Sequence, residues 1–261
     1  MFENKVVWIT GASSGLGKYM AYEFARQGAL LALSARRKDK LEEVIKDIEI
    51  LGSKGYIVLC DVMEAEQIKL AVERIVGHFG KIDVVVANAG FGVYGRIEEL
   101  DAIAWSRQFQ INVTGLALTA KYSIPHLKKS KGILALIGSV AAYLPSPQTG
   151  AYGASKAAVR SIGQTLQVEL KGTGVGCTVI HPGFVDSDIA RVDNSGTLHQ
   201  DRLDPRPKNL MWPTEKAAKV MVKAIFQRKR EYIFTGHGKF LYFLGQHTPK
   251  LARLLMGKVG G

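Results

Sequence analysis

The feature that most limits the folds open to this chain is an alternation of short, continuously apolar runs with longer amphipathic ones. KVVWIT, ALLALSA, GYIVLCD, IDVVVANAG, GILALIGS and GVGCTVIHPG are apolar over most of their length and show little period-two alternation. Between them GLGKYMAYEFARQG, KLEEVIKDIEILG, AEQIKLAVERIVGHFG, a stretch from about residue 98 to 129, and AAVRSIGQTLQVEL place apolar residues at helical spacing. A strand that faces water on one side alternates. A strand covered on both sides does not, so these runs require a parallel sheet flanked by helices. The expected fold class is α/β, a Rossmann-type doubly wound parallel sheet. No repeat, low-complexity tract or linker interrupts the pattern, and residues 1–261 are expected to form a single domain.

The first apolar run passes through Thr10 into Gly11-Ala12-Ser13-Ser14-Gly15-Leu16-Gly17 and then directly into a helical pattern. Glycines at a strand-to-helix turn let the backbone approach a pyrophosphate closely, and the helix N-terminus supplies oriented N–H groups. The spacing is GxxxGxG, not the generic GxGxxG fingerprint. A dinucleotide fold often ends its second strand on an acid that binds a ribose 2′-hydroxyl. Here Ser34 and Ala35 lead into Arg36 and Arg37. No carboxylate repels a 2′-phosphate there, and two guanidiniums can clamp one, so NADP(H) is expected over NAD(H). The plainer alternative is that Arg37 is a solvated residue at a helix start. At the end of the third run, Asp61 is placed to accept from an adenine amino group, with Val62 beside the ring.

Tyr152 and Lys156 stand four residues apart in YGASK, so a helix projects both from one face. A free tyrosine has a pKa of about 10. A lysine cation about 4 Å away at an effective dielectric of about 20 attracts the phenolate by about 4 kcal/mol, roughly three pKa units. Such a phenol would exchange protons near neutral pH. On its own the pair also fits a helix carrying two surface side chains.

Context decides between these readings. TGASSGLG, Asp61-Val62, Asn88-Ala89-Gly90, Asn112, Ser139, YGASK and Pro182-Gly183 occur in an order and spacing that resemble the short-chain dehydrogenase/reductase family of Tyr-x-x-x-Lys type, over about residues 5–190. The resemblance implies that Ser139 orients and polarises a substrate carbonyl and that Tyr152 is the general acid or base. It implies that Lys156 binds the nicotinamide ribose and lowers the Tyr152 pKa, and that Asn112 holds a water in a proton relay. Asn88, Ala89 and Gly90 would form a turn over the cofactor, although position 87 is alanine where many members have asparagine. After Pro182-Gly183 the family usually has a threonine for the nicotinamide carboxamide; this chain reads Phe184-Val185-Asp186-Ser187, and Ser187 carries the corresponding hydroxyl. The site chemistry agrees: a hydride transferred to a carbonyl leaves an alkoxide that needs a proton and a second hydrogen-bond donor, and needs no metal.

Substrate choice is expected to lie in Phe91, Val93 and Tyr94, in Tyr143, Leu144, Pro145 and Gln148, and in a polar, proline-bearing lid over about 184–212. Residues 238–261 form an apolar, basic tail with Phe240, Leu241, Phe243, Leu244, Leu251, Leu254 and Leu255. It has four open readings: a cover for the pocket, a subunit contact, a surface for anionic lipid, or a helix completing its own domain. The resemblance implies a homo-oligomer, a dimer or a tetramer.

Composition narrows the alternatives. The net charge of +12 is scattered among acids, with clusters at Arg36, Arg37, Lys38 and at Arg228, Lys229, Arg230, and no nucleic-acid motif accompanies them. Cys60 and Cys177 lie inside apolar runs, so neither a disulfide nor a metal site is expected. His181, before Pro182, reads as structural. No run suits a bilayer span or a signal peptide, which makes a cytoplasmic location the default. The expected activity is NADP-dependent hydride transfer between nicotinamide and a carbonyl or secondary alcohol. The alternatives are a non-catalytic NADP(H)-binding regulatory protein and a lipid-carbonyl reductase at a membrane surface.

Overall fold

The computed structural model describes residues 1–204 and 206–257. Pro205, within the expected lid, and residues 258–261, at the end of the expected tail, lie outside the described residues. Seven strands, β1 (Val6–Thr10), β2 (Leu30–Ser34), β3 (Gly55–Ile57), β4 (Val84–Ala87), β5 (Ile133–Ile137), β6 (Gly176–His181) and β7 (Glu231–Ile233), form one sheet in the order β3-β2-β1-β4-β5-β6-β7. Every neighbouring pair is parallel. This is the doubly wound sheet that the apolar runs demand.

Helices cover both faces. On one, α1 (Gly15–Arg26), α2 (Lys38–Ile50) and α7 (Thr214–Phe226) bury Met20, Phe24, Leu41 and Met221 against Val7, Ile9, Leu31 and Leu33. On the other, α3 (Ala65–Phe79), α5 (Leu116–Ser130) and α6 (Gly150–Glu169) bury Ile68, Ile75, Leu127 and Val159 against Val6, Trp8, Ala32 and Val85. Alternate residues of β1 thus feed opposite cores, which is why that strand has no polar face. Each fully buried aliphatic or aromatic side chain contributes about 1.5–3 kcal/mol. Trp8 also satisfies its one polar atom, donating from Nε1 to Ser34 Oγ at 2.9 Å.

Two segments differ from the periodicity. The third run keeps ladder geometry only over Gly55–Ile57, although the Val58 and Cys60 amides still donate to the carbonyls of Leu33 and Ala35. The stretch expected to be helical from 98 to 129 divides into a 3-10 turn at Ile97–Glu99, α4 (Ala102–Phe109), a π-helical segment Gln110–Gly115, and α5. Asp101 starts α4 afresh by accepting from the Ala104 amide at 2.7 Å. The π segment brings the chain against Val62, where a Cβ on Gly115 would lie 2.6 Å from the Val62 carbonyl. At the C-terminus α8 (Gly236–His247) and α9 (Pro249–Gly257) pack Leu244 and Ala252 on Leu144.

Candidate active site

The strand order reverses between β1 and β4, so the loops leaving their C-terminal ends diverge and open a crevice. Thr10 and Asn88 lock its floor. The Thr10 hydroxyl accepts from the amides of Asn88 and Ala89, both at 3.1 Å, and Asn88 Nδ2 returns bonds to the carbonyls of Thr10 (3.0 Å) and Gly11 (3.2 Å). Gly11 has φ +67°, and a Cβ there would sit 2.8 Å from Ala89 Cα. Gly17 lies behind the turn, where a Cβ would meet the Gly11 carbonyl at 2.3 Å, so its part is close packing and not contact with the crevice. Ser14 stands at the N-cap of α1 without capping it through its side chain. The first amides of α1 are therefore left for an anion, and the glycine cradle fits a pyrophosphate.

The cleft encloses about 480 Å³ and gathers Gly11, Ser13, Ser14, Gly15, Leu16, Arg36, Arg37, Asp61, Val62, Asn88, Ala89, Gly90, Ser139, Tyr152, Lys156, Pro182, Gly183, Val185 and Ser187 on one continuous surface. Residues as far apart in sequence as Gly11 and Arg206 thus share one wall. Arg37 is not merely solvated: its guanidinium donates to the hydroxyls of Ser13 (3.1 Å) and Ser14 (3.2 Å). Arg36 lies 4.0 Å from the Asp61 carboxylate, which also accepts from the Met63 amide. The two arginines put positive charge at the mouth beyond β2.

At the other end, Ser139 closes β5, and its hydroxyl accepts from the Ala141 amide at 3.1 Å. Tyr152 and Lys156 project from the first turns of α6 into the cleft. Burial raises the Tyr152 pKa above its ordinary value, while hydrogen bonding with Ser139 and the charge of Arg206 pull it back. The sequence predicts a phenol lowered by Lys156, and that is not what the structure has. Lys156 Nζ donates to the Ile137 carbonyl at 2.9 Å, 5.8 Å from the centre of the Tyr152 ring, and its own pKa falls to about 8 through burial. Desolvation of the phenol outweighs a cation turned toward a carbonyl.

Asn112 is fully buried on the π segment and does not line the cleft. Its amide donates to the Phe91 carbonyl (2.9 Å) and Ser155 Oγ (3.1 Å) and accepts from the Phe91 amide (3.0 Å). The side chain therefore clamps the turn after β4.

Residues 5–197 match the family model described as short chain dehydrogenase. The chain belongs to the short-chain dehydrogenase family. It is similar to the "11-beta-hydroxysteroid dehydrogenase A" of Arachis hypogaea, 42% identical over 189 residues, covering 72% of this chain and 54% of that protein. It is also similar to the "11-beta-hydroxysteroid dehydrogenase-like 2" of Arabidopsis thaliana, 40% identical over 265 residues, covering 98% of this chain and 82% of that protein. The chain thus spans about half the length of the peanut relative. Among solved structures, a short-chain dehydrogenase/reductase from Burkholderia phymatum in complex with NAD superposes with a TM-score of 0.85 at 26% identity, covering 96% of this chain and 95% of the other. An alcohol dehydrogenase from Thermococcus sibiricus complexed with 5-hydroxy-NADP gives 0.78 at 28%, covering 89% and 97%.

The segment after β6 supplies what motif spacing misses. Ile189, Val192, Leu198 and Arg206 line the cleft, as does Phe91 from the turn after β4. Arg206 grips this segment from inside, donating to the carbonyls of Val185 (3.0 Å) and Ser187 (2.8 Å) while paired with Asp204. Asn194 clasps the backbone of Tyr94 through both its amide atoms, at 3.0 and 2.9 Å. These contacts are long-range and polar, and no local pattern announces them. Tyr143 and Leu144, expected near the substrate, turn away: Tyr143 donates to Glu231 and Leu144 packs on α8 and α9. No residue of α8 or α9 lines the cleft. No helix among the described residues is long and apolar enough to cross a membrane, and no metal-binding group of His, Cys, Asp and Glu occurs among them.

Proposed function

We propose that this oxidoreductase uses NADP(H) to interconvert a carbonyl and a secondary alcohol on an apolar substrate, with Tyr152 as the general acid and base. The observation that carries this reading is the convergence of Ser139, Tyr152 and Lys156 on the cleft that also holds the glycine turn. Gly11 to Leu16 would hold the pyrophosphate, Asp61 and Val62 the adenine, Asn88 to Gly90 and Lys156 the nicotinamide ribose, and Val185 and Ser187 the carboxamide. When bound, the dinucleotide supplies or accepts the hydride.

The chain's own groups handle the rest. Ser139 donates to the substrate oxygen and stabilises the charge that develops there. Tyr152 gives its proton to the same oxygen in reduction and takes it back in oxidation. Lys156 keeps a positive charge within reach of the phenolate, and Asn112 would hold the water that connects Lys156 to solvent. Phe91, Ile189, Val192 and Leu198 favour an apolar partner. Together with the hydroxysteroid dehydrogenase names of the relatives, this supports a rigid, steroid-sized ketone or alcohol. The rival class, an NADP(H)-binding regulatory protein without turnover, has no need of four catalytic groups in register.

Arg36 and Arg37 support NADP(H) over NAD(H). Loss of a charge-assisted contact costs about 1.5–3 kcal/mol, roughly ten- to a hundredfold in affinity. Arg36→Asp is therefore expected to raise the NADPH Kd by about that factor and to change the NADH Kd by about threefold at most. Equal losses for both in a fluorescence titration would remove the 2′-phosphate reading.

A second reading adds location. Phe240, Phe243, Leu251, Leu254 and Leu255 are exposed on α8 and α9 beside Lys239, Lys250 and Arg253, which favours contact with an anionic lipid surface over a free cytoplasmic protein. Phe240→Ser with Phe243→Ser should abolish co-sedimentation with phosphatidylserine vesicles while kcat for a soluble substrate stays unchanged. Retained sedimentation would exclude this surface. A dimer or tetramer is proposed from the family alone, and light scattering tests it.

A further inference from the structure

His181 closes β6 and is fully buried, directly behind Ser139. Its Nδ1 lies 3.1 Å from the Ser139 carbonyl and its Nε2 lies 3.1 Å from Glu231 Oε1. The space is tight: a Cβ on Gly138 would come within 2.6 Å of Nδ1. The segment after β5 is also stitched to the end of β6 through the backbone, by Gly138 N to Ile180 O (2.7 Å) and Val140 N to Pro182 O (3.0 Å). The imidazole reaches from the Ser139 carbonyl to another element. Its far partner, Glu231 on the edge strand β7, also accepts from the Tyr143 hydroxyl and from Arg160 Nε at 3.2 Å. Arg160 stands one turn beyond Lys156 on α6, with its guanidinium 4.6 Å from the centre of the Tyr143 ring.

The partners determine the state of the ring. A backbone carbonyl only accepts, and a carboxylate only accepts when ionised. The His181, Tyr143 and Arg160 contacts, against the opposing effect of burial, hold Glu231 down at a pKa of about 2, so it is ionised throughout the physiological range. The ring is thereby gripped at both nitrogens, between the Ser139 carbonyl and the Glu231 carboxylate.

We propose that His181 is a positioning residue for Ser139, held in place by Glu231, so that a carboxylate on the far edge strand sets the aim of the carbonyl-binding hydroxyl. This rests on the reading of Ser139 given above. The groups facing the ring are Ser139 and Tyr143 from the segment after β5, Arg160 from α6 and Glu231 from β7; the ring of Tyr143 lies edge-on at 4.9 Å. Glu231→Leu keeps much of the volume of the side chain and removes its acceptor, so the imidazole loses its far anchor and the Ser139 carbonyl part of its own.

The test uses the full chain. Glu231→Leu should lower kcat about tenfold while the NADPH Kd stays within about twofold, and Glu231→Gln, which keeps the reach and a hydrogen-bonding end, should hold kcat within about threefold of wild type. Tyr143→Phe, which leaves the His181–Glu231 contact in place, should change kcat by less than about twofold. Unchanged kcat in Glu231→Leu, or equal losses in Glu231→Leu and Glu231→Gln, refutes the coupling. Ser139→Ala separates the two claims: if it leaves kcat intact, the Ser139 assignment fails; if it abolishes kcat while Glu231→Leu does not, only the His181 proposal fails. Should Glu231→Leu not fold, Glu231→Asp, which shortens the reach, takes its place with the same expected loss of kcat.

Discussion

Replacing Tyr152 with phenylalanine is expected to lower kcat by at least about a hundredfold while the NADPH Kd stays within about threefold of wild type. Phenylalanine keeps the ring and hence its packing near Tyr94, whose ring centre lies 6.0 Å away. What disappears is the hydroxyl, and with it the proton for the substrate oxygen. A positioned acid or base contributes about 10²–10⁴ to rate, so a general fall in substrate affinity would not imitate this result. Because burial raises the Tyr152 pKa, the phenol is a reluctant base in the free protein. Oxidation should consequently gain with rising pH more than reduction does. Steady-state rates in both directions, alongside a fluorescence titration of cofactor, check all three statements.

Lys156→Met should have the second-largest effect, and it has two signatures. Removing the cation beside the phenol should cost about a hundredfold in kcat/KM. The other signature is in stability. Lys156 is fully buried, and its pKa in the folded protein is lowered to about 8, whereas an unfolded lysine titrates near about 10.4. Below pH 8 both states bind the proton, and the folded protein bears the whole cost of a buried charge. Between pH 8 and about 10.4 the unfolded chain binds more protons, so the folded state gains as pH rises. Wild type should therefore gain on Lys156→Met by about 3 kcal/mol across that window. Urea unfolding of both proteins at pH 7.5 and pH 10.5 measures the difference, and parallel stability curves would contradict the burial argument.

The sheet was legible in the sequence because each strand is apolar on both faces, and β1 shows why: Val7 and Ile9 enter one core while Val6 and Trp8 enter the other. The cofactor cleft was legible for a related reason. Glycines that must pack at the distances of Gly11 and Gly17, and arginines directly after a strand, are local features. The end of the sheet was not, since Glu231–Ile233 is too short to carry a period. The interrupted helix around Asn112 escaped notice because helical spacing continues through a π segment almost unchanged. Tyr143 and Arg206 were misjudged or missed because their partners lie far away in the chain: Glu231 for Tyr143, and the carbonyls of Val185 and Ser187 for Arg206. The direction of the Tyr152 shift was also misread. Helical spacing places two side chains on one face, but it does not say where an ammonium points, and the Ile137 carbonyl takes the one on Lys156.

The most direct measurement follows the hydride itself. The protein is mixed with NADPH carrying deuterium at both positions of the nicotinamide C4 and with a panel of ketones that includes steroid-sized ones, and the products are analysed by mass spectrometry. The account predicts deuterium on the new carbinol carbon of at least one product, and none when Tyr152→Phe replaces wild type. Tight NADPH binding with no deuterium transferred to any ketone would contradict it and leave a cofactor-binding protein without turnover.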